Sequence, residues 1–175
     1  MEIKNTYFSN SEIDYVYKAK IEAYGKNFGG ILIIKKIAPE NHRVVFTTEF
    51  GNKLFDFEFK DDTFKKNFVV EELDKKFIVN ILKDDFSLLV DESANVLTVY
   101  ASENQKIYKT RKGNRFNFYF VEAASGQLEK IINTTKTKEK MEILFTFSEE
   151  NMAESIVLNH KNIKLAIDLK KFKED

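Results

Sequence analysis

Cysteine and tryptophan are absent from the 175 residues, proline occurs once and histidine twice. Without cysteine there is no structural disulfide, no thiolate nucleophile and no cysteine-containing metal site, and two histidines leave little material for imidazole chemistry. An excess of either charge is also missing: 28 Lys+Arg face 28 Asp+Glu, so no global field draws in nucleic acid. No apolar run approaches the roughly 18 to 20 residues of a membrane-spanning helix, and the stretch Ile31 to Ile34 is only strand-sized. The opening Met1-Glu2-Ile3-Lys4-Asn5 lacks the apolar core of a signal peptide, which fits either a cytoplasmic chain or one whose targeting segment has been removed. Most enzyme classes are left without their usual residues, so the expectation is a non-catalytic protein with no metal and no cofactor.

What the chain has in quantity is core material. Apolar residues make up 43% of it and aromatics 14%, with 17 Phe, enough for one folded domain over residues 1–175. From Tyr15 to Ala23 every odd residue is Tyr, Ala or Ile, and a period of two is the mark of a half-buried strand. The same alternation predicts strands over 28–36, 42–50, 53–60 and 64–70, then 96–101, 106–111, 115–121, 128–133, 140–147, 155–160 and 163–169. Short polar connections such as Gly51-Asn52 join antiparallel neighbours rather than parallel crossovers.

Between the two strand groups the period changes. Leu73, Phe77, Ile78, Ile81 and Leu82 recur at spacings of three and four, with Glu71, Glu72 and Asp74 where a helix dipole favours anions, predicting a helix over 71–83. Asp84-Asp85 then reads as the cap of a second short helix carrying Phe86, Leu88 and Leu89. The fold class expected is mainly β with a helical insert: a curled antiparallel half-barrel of about eleven or twelve strands wrapped on short helices.

Few motifs carry chemistry. His42 and His160 have polar neighbours and read as solvated surface histidines, and Asp61-Asp62 and Asp84-Asp85 read as turn or cap residues. The three glycines between Gly25 and Gly30 lack phosphate-loop spacing and read as a hairpin connection, and Asn133-Thr134-Thr135 is a glycosylation-like triplet too short to weigh. The aromatic stripes leave two readings open, a packed core or an apolar cavity. By strand and helix phase, Tyr17, Ile21, Phe46, Phe55, Phe57, Phe77, Ile81, Phe116, Phe118, Phe120 and Phe145 would line such a cavity. In Glu49-Phe50-Gly51-Asn52, a two-residue Gly51-Asn52 loop makes Phe50 and Lys53 the last cross-strand pair, and Phe50 either folds back on the core or protrudes.

This order of features, a meander, a hairpin with an apolar tip, a helical insert and a second strand group, resembles the LolB family of outer-membrane lipoprotein receptors. Glu49-Phe50-Gly51 stands where that family has Pro-Leu-Gly, with Glu replacing Pro and Phe replacing the protruding Leu. The resemblance implies a receptor, anchored at the periplasmic face of the outer membrane by an N-terminal lipid lost with the preceding residues. It also implies a LolA-like periplasmic carrier, the acyl chains of lipoproteins and outer-membrane lipids as partners. Glu49, Phe50 and Gly51 would form the membrane-insertion hairpin, and transfer would be non-catalytic. The alternatives are a periplasmic carrier of lipid or another apolar ligand, and a structural lipoprotein with a packed core.

Overall fold

Alternation of buried and exposed side chains accounts for the architecture of the computed structural model, which describes residues 1–149 and 151–173. Six strands come first: β1 (Glu2–Lys4), β2 (Asp14–Ala23), β3 (Lys26–Ala38), β4 (Asn41–Thr47), β5 (Lys53–Lys60) and β6 (Thr63–Val69). One helix, α1 (Lys76–Val90), follows, and then β7 (Ser93–Ala101), β8 (Gln105–Lys112), β9 (Arg115–Glu122), β10 (Leu128–Thr134), β11 (Glu139–Glu149), β12 (Met152–His160) and β13 (Leu165–Lys171). All thirteen strands form a single antiparallel sheet in the order β1-β7-β8-β9-β10-β11-β12-β13-β2-β3-β4-β5-β6, with β1 and β6 as unjoined edges. The sheet is therefore open; β2 to β13 correspond to the twelve predicted ranges, and the short β1 is the strand the alternation did not predict.

Its inner face is organised in cross-strand rows. Tyr119, Ile131, Ile143, Leu158, Ile167 and Ile21 are successive register partners from β9 to β2. Each is at most 2% exposed. In the other half Tyr17, Leu32, Phe46 and Phe55 form a second row. Phe55 stacks on Phe57 at 4.4 Å and meets Phe86 of α1 at 5.6 Å, which docks the helix onto the sheet. Each such side chain contributes roughly 1.5 to 3 kcal/mol by leaving water.

The helix differs from expectation. Residues 71–73 form a turn in which Leu73 is buried, so Glu71, Glu72 and Asp74 precede the helix, whose first turn holds no acidic residue. Among the described residues there is no second helix: Asp84 and Asp85 lie inside α1, because the apolar stripe Ile78, Leu82, Phe86 and Leu89 continues unbroken past them.

Residues between β1 and β2 contribute to the interior in a way no periodicity announced. Tyr7 and Phe8 are 3% and 1% exposed. Tyr7 stacks on Phe145 at 4.7 Å and donates its hydroxyl to Leu128 C=O, while Phe8 packs edge-on against Tyr15 and Tyr17. Asn5 Nδ2 donates to Leu89 C=O at 2.9 Å. His42 is 2% exposed, not solvated, with Nε2 3.0 Å from Phe8 C=O, and burial pushes its pKa below the usual imidazole value. Near the β2–β3 turn, Gly25 takes φ +85, but Gly29 and Gly30 belong to β3 rather than to a loop.

Candidate functional site

The hairpin between β4 and β5 is built by Thr48 and Gly51. Gly51 N–H donates to Thr48 C=O at 3.0 Å, Thr48 N–H to Asn52 C=O at 2.8 Å, and Asn52 N–H to Thr48 Oγ1 at 3.2 Å. Gly51 has φ +88, a left-handed conformation that glycine adopts without steric cost. The connection is longer than the expected Gly51-Asn52 loop: β4 ends at Thr47, which pairs with Lys53, so Phe50 is not in a cross-strand pair. Glu49 and Phe50 instead occupy the two corners of the turn, and Phe50 is 93% exposed. Of the two dispositions left open for this side chain, the structure has the protruding one.

The residues expected to line a cavity do not share one surroundings. Tyr17, Ile21, Phe46, Phe55, Phe57 and Phe145 are all buried on the inner face and pack against one another, α1 or the N-terminal segment. Phe77 and Ile81 lie on α1, Phe77 being 49% exposed and T-shaped against Tyr24 at 5.1 Å. Phe116, Phe118 and Phe120 are a correction. In β9 the buried residues are Asn117, Tyr119 and Val121, so these three phenylalanines lie on the outer face. Lys109 Nζ sits 4.7 Å from the Phe116 centroid and Lys130 Nζ 4.4 Å from that of Phe120. Cations over the ring faces and aliphatic stems beside them make an outward position tolerable for these rings.

The phase of β9 brings a polar row to the inner face. Thr110, Asn117, Asn133, Met141 and His160 are consecutive register partners across β8 to β12. Asn133 Nδ2 donates to Asn117 Oδ1 at 2.7 Å, and Arg115 Nη1 donates to Asn133 Oδ1 at 2.9 Å. The Asn133 amide of the glycosylation-like triplet is thus half-buried and engaged in hydrogen bonds through both of its polar atoms.

His160 is the second correction to a surface assignment: its Nε2 lies 2.8 Å from Asp85 Oδ2, with side chains 6% and 3% exposed. Burial raises the Asp85 pKa above the ordinary carboxylate value, opposed by the hydrogen bond from His160. Between this row and α1 lies a cleft of about 530 Å³, with Ile81, Leu88, Met141 and Ile163 among its apolar walls and Lys112, Arg115 and Lys140 among its cations. Sequence reasoning missed it because its polar residues come from five strands and one helix, and only the register assembles them. No group of His, Asp and Glu suited to a metal ion occurs among the described residues.

A scan of protein-family models finds no match, and neither does a search of curated proteins. Solved structures do match. The chain is similar to a LolA superfamily protein from Nitrosomonas europaea, with a TM-score of 0.54 at 9% identity over 98% of this chain and 91% of that one. It also matches a domain described as that of an outer membrane lipoprotein-sorting protein from Vibrio parahaemolyticus, with a TM-score of 0.46 at 8% identity over 91% and 83% of the two chains. The first likeness shows the fold, an open antiparallel sheet of the LolA/LolB kind.

Proposed function

We propose that this chain with a LolA-like fold accepts acylated lipoproteins from a LolA-like periplasmic carrier and passes them into a membrane, with Phe50 as the group that enters the lipid. The observation that carries this reading is the 93% exposure of Phe50 at the corner of a hydrogen-bonded turn. Among the described large apolar side chains it is the most exposed. Its insertion into lipid contributes about 1.5 to 3 kcal/mol, too little to anchor the protein but enough to bias the hairpin towards a bilayer. Stable anchoring at the periplasmic face of the outer membrane would need an N-terminal lipid. Glu49 beside Phe50 keeps a charge at the headgroup level and limits the depth of entry.

The role needs no covalent step. An acyl chain moves between apolar surroundings, each methylene contributing roughly 0.8 kcal/mol, so the protein has only to offer a temporary apolar surface. Because Phe46, Phe55, Phe57 and Phe86 already fill the space under α1, that surface has to come from the margin of the helix or from its displacement.

Transfer of a fluorescent triacylated lipopeptide from the protein to liposomes tests the reading. Phe50→Glu is expected to fold normally, bind lipopeptide and deliver it roughly tenfold or more slowly; delivery at the wild-type rate would overturn it. The filled interior favours a second reading, a structural lipoprotein, and failure of the wild-type chain to bind the lipopeptide would select it.

A further inference from the structure

The cleft beside α1 has two kinds of wall. One is polar, with Lys112, Arg115 and Lys140 beside Asn117, Asn133 and His160. Lys112 is committed, with Asp91 at 3.1 Å. Arg115 and Lys140 have no carboxylate partner among the described residues, and the Arg115 guanidinium is aimed by Asn133, which Asn117 holds in turn. Two carboxylates also line the cleft: Asp85 is bonded to His160, and Asp84 is exposed. The cleft shares His160 and Ile163 with a second groove that runs to Tyr24. Tyr24, Phe77 and Ile163 are 43%, 49% and 37% exposed, a cluster of large apolar groups left in water. Tyr24 is also held at φ 50, a conformation that bulky residues avoid, with its N–H donated to Lys164 C=O.

We propose that this surface binds an amphiphile with an anionic head, the head seated between Arg115 and Lys140 and the alkyl chain lying over Ile81, Ile163 and the Tyr24–Phe77 pair. The helix spacing supports one continuous track, because Phe77, Ile81, Asp84 and Leu88 fall at intervals of three and four and share a face of α1. Arginine fixed by a neighbouring amide is suited to the forked geometry of phosphate or carboxylate oxygens, and a lysine adds charge without directional demand. The proposal rests on the lipid-handling reading only in taking an alkyl chain as part of the ligand; it requires nothing of Phe50.

Calorimetric titration of the full chain tests it, with three probes below their micelle concentrations: dodecyl phosphate, uncharged monolauroylglycerol and inorganic phosphate. Dodecyl phosphate is expected to bind about tenfold or more tightly than monolauroylglycerol at low salt, with the gap narrowing as salt rises. Lys140→Gln, on the rim, should narrow the gap, Arg115→Gln with Lys140→Gln should remove it, and Phe77→Ser should weaken both amphiphiles alike. Equal affinity for the charged and uncharged amphiphiles, or a gap untouched by the two charge substitutions, would overturn the proposal. Inorganic phosphate binding as tightly as dodecyl phosphate would also overturn it, leaving a site for free phosphate. Phe50→Glu should leave all three titrations unchanged, so loss of membrane delivery and loss of this site are separable outcomes.

Discussion

His160 Nε2 meets Asp85 Oδ2 at 2.8 Å and so fastens the inner end of β12 to the middle of α1 in a place almost without water. When Asp85 is ionised the imidazole donates; when it is protonated the carboxyl donates. Removing the imidazole leaves a buried carboxyl whose charge is uncompensated. His160→Leu is therefore expected to cost about 3 kcal/mol at neutral pH. Because burial raises the Asp85 pKa above its unfolded value, the folded state holds the proton more tightly. That contribution is present below the unfolded carboxylate pKa of about 3.9 and is lost as pH rises through the folded value. Urea titrations should therefore find the His160→Leu deficit smaller at pH 4 than at pH 7; an equal deficit at both would show that the lost contact is packing alone.

Asp56 carries the opposite sign. It sits on the outer face with no exposed surface, receiving Arg43 Nε at 3.0 Å, Arg43 Nη2 at 2.6 Å and Lys53 Nζ at 2.9 Å. The Arg43 guanidinium holds its carboxyl well below the usual carboxylate range, despite burial. Stability from this group is present above the unfolded pKa and is lost as pH falls through the folded one. Arg43→Gln should cost about 2 kcal/mol at pH 7, and the deficit should diminish in strong acid. Thermal denaturation across that range reads the slope directly.

Gly30 predicts a steric result. A Cβ there would lie 1.9 Å from the Thr47 carbonyl oxygen and 3.0 Å from Thr48 Cα, both backbone atoms that cannot rotate away. Gly30→Ala should destabilise the fold by about 3 kcal/mol. Since Thr47 and Thr48 lead into the hairpin, the substitution should also raise amide exchange at residues 48–52. Normal exchange there in a destabilised variant would mean that β3 moved instead.

Phe50 and Phe55 lie five positions apart and should respond very differently to truncation. Phe50 contacts little, so Phe50→Ala should change stability by no more than about 0.5 kcal/mol. Phe55 has no exposed surface and stacks on Phe57, so Phe55→Ala should cost about 3 to 5 kcal/mol. Urea midpoints of the two variants measured side by side check both.

Strands were legible wherever apolar residues alternate with charges, as from Tyr15 to Ala23, because a charge cannot face the core. In β9 the alternating partners of Phe116, Phe118 and Phe120 are Asn117, Tyr119 and Val121, so the pattern excludes neither face and aromatic content alone points to the wrong one. Cations from β8 and β10, invisible in the β9 sequence, decide the phase. The histidines failed for a related reason. Asn41 and Arg43 flank His42, and in a strand such neighbours point the other way, so their polarity indicated an inward histidine. The protruding Phe50 was legible as one of two dispositions, since a glycine turn beside a large apolar residue is local. The cleft was not, because Asn117, Asn133 and His160 come together only through strand register.

β13, the final strand, does not lie at a margin of the sheet but between β12 and β2, with Lys171 in register with Tyr17. Among the described residues it is the strand that joins β2 to β6 to the group formed by β1 and β7 to β12. Apart from β1 with β7, every other pair of neighbours in the sheet is consecutive in the chain, so the pairing of β13 with β2 closes the longest loop. Docking of β13 between β12 and β2 is therefore the non-local step of sheet assembly, governed by loop closure rather than by formation of a local hairpin.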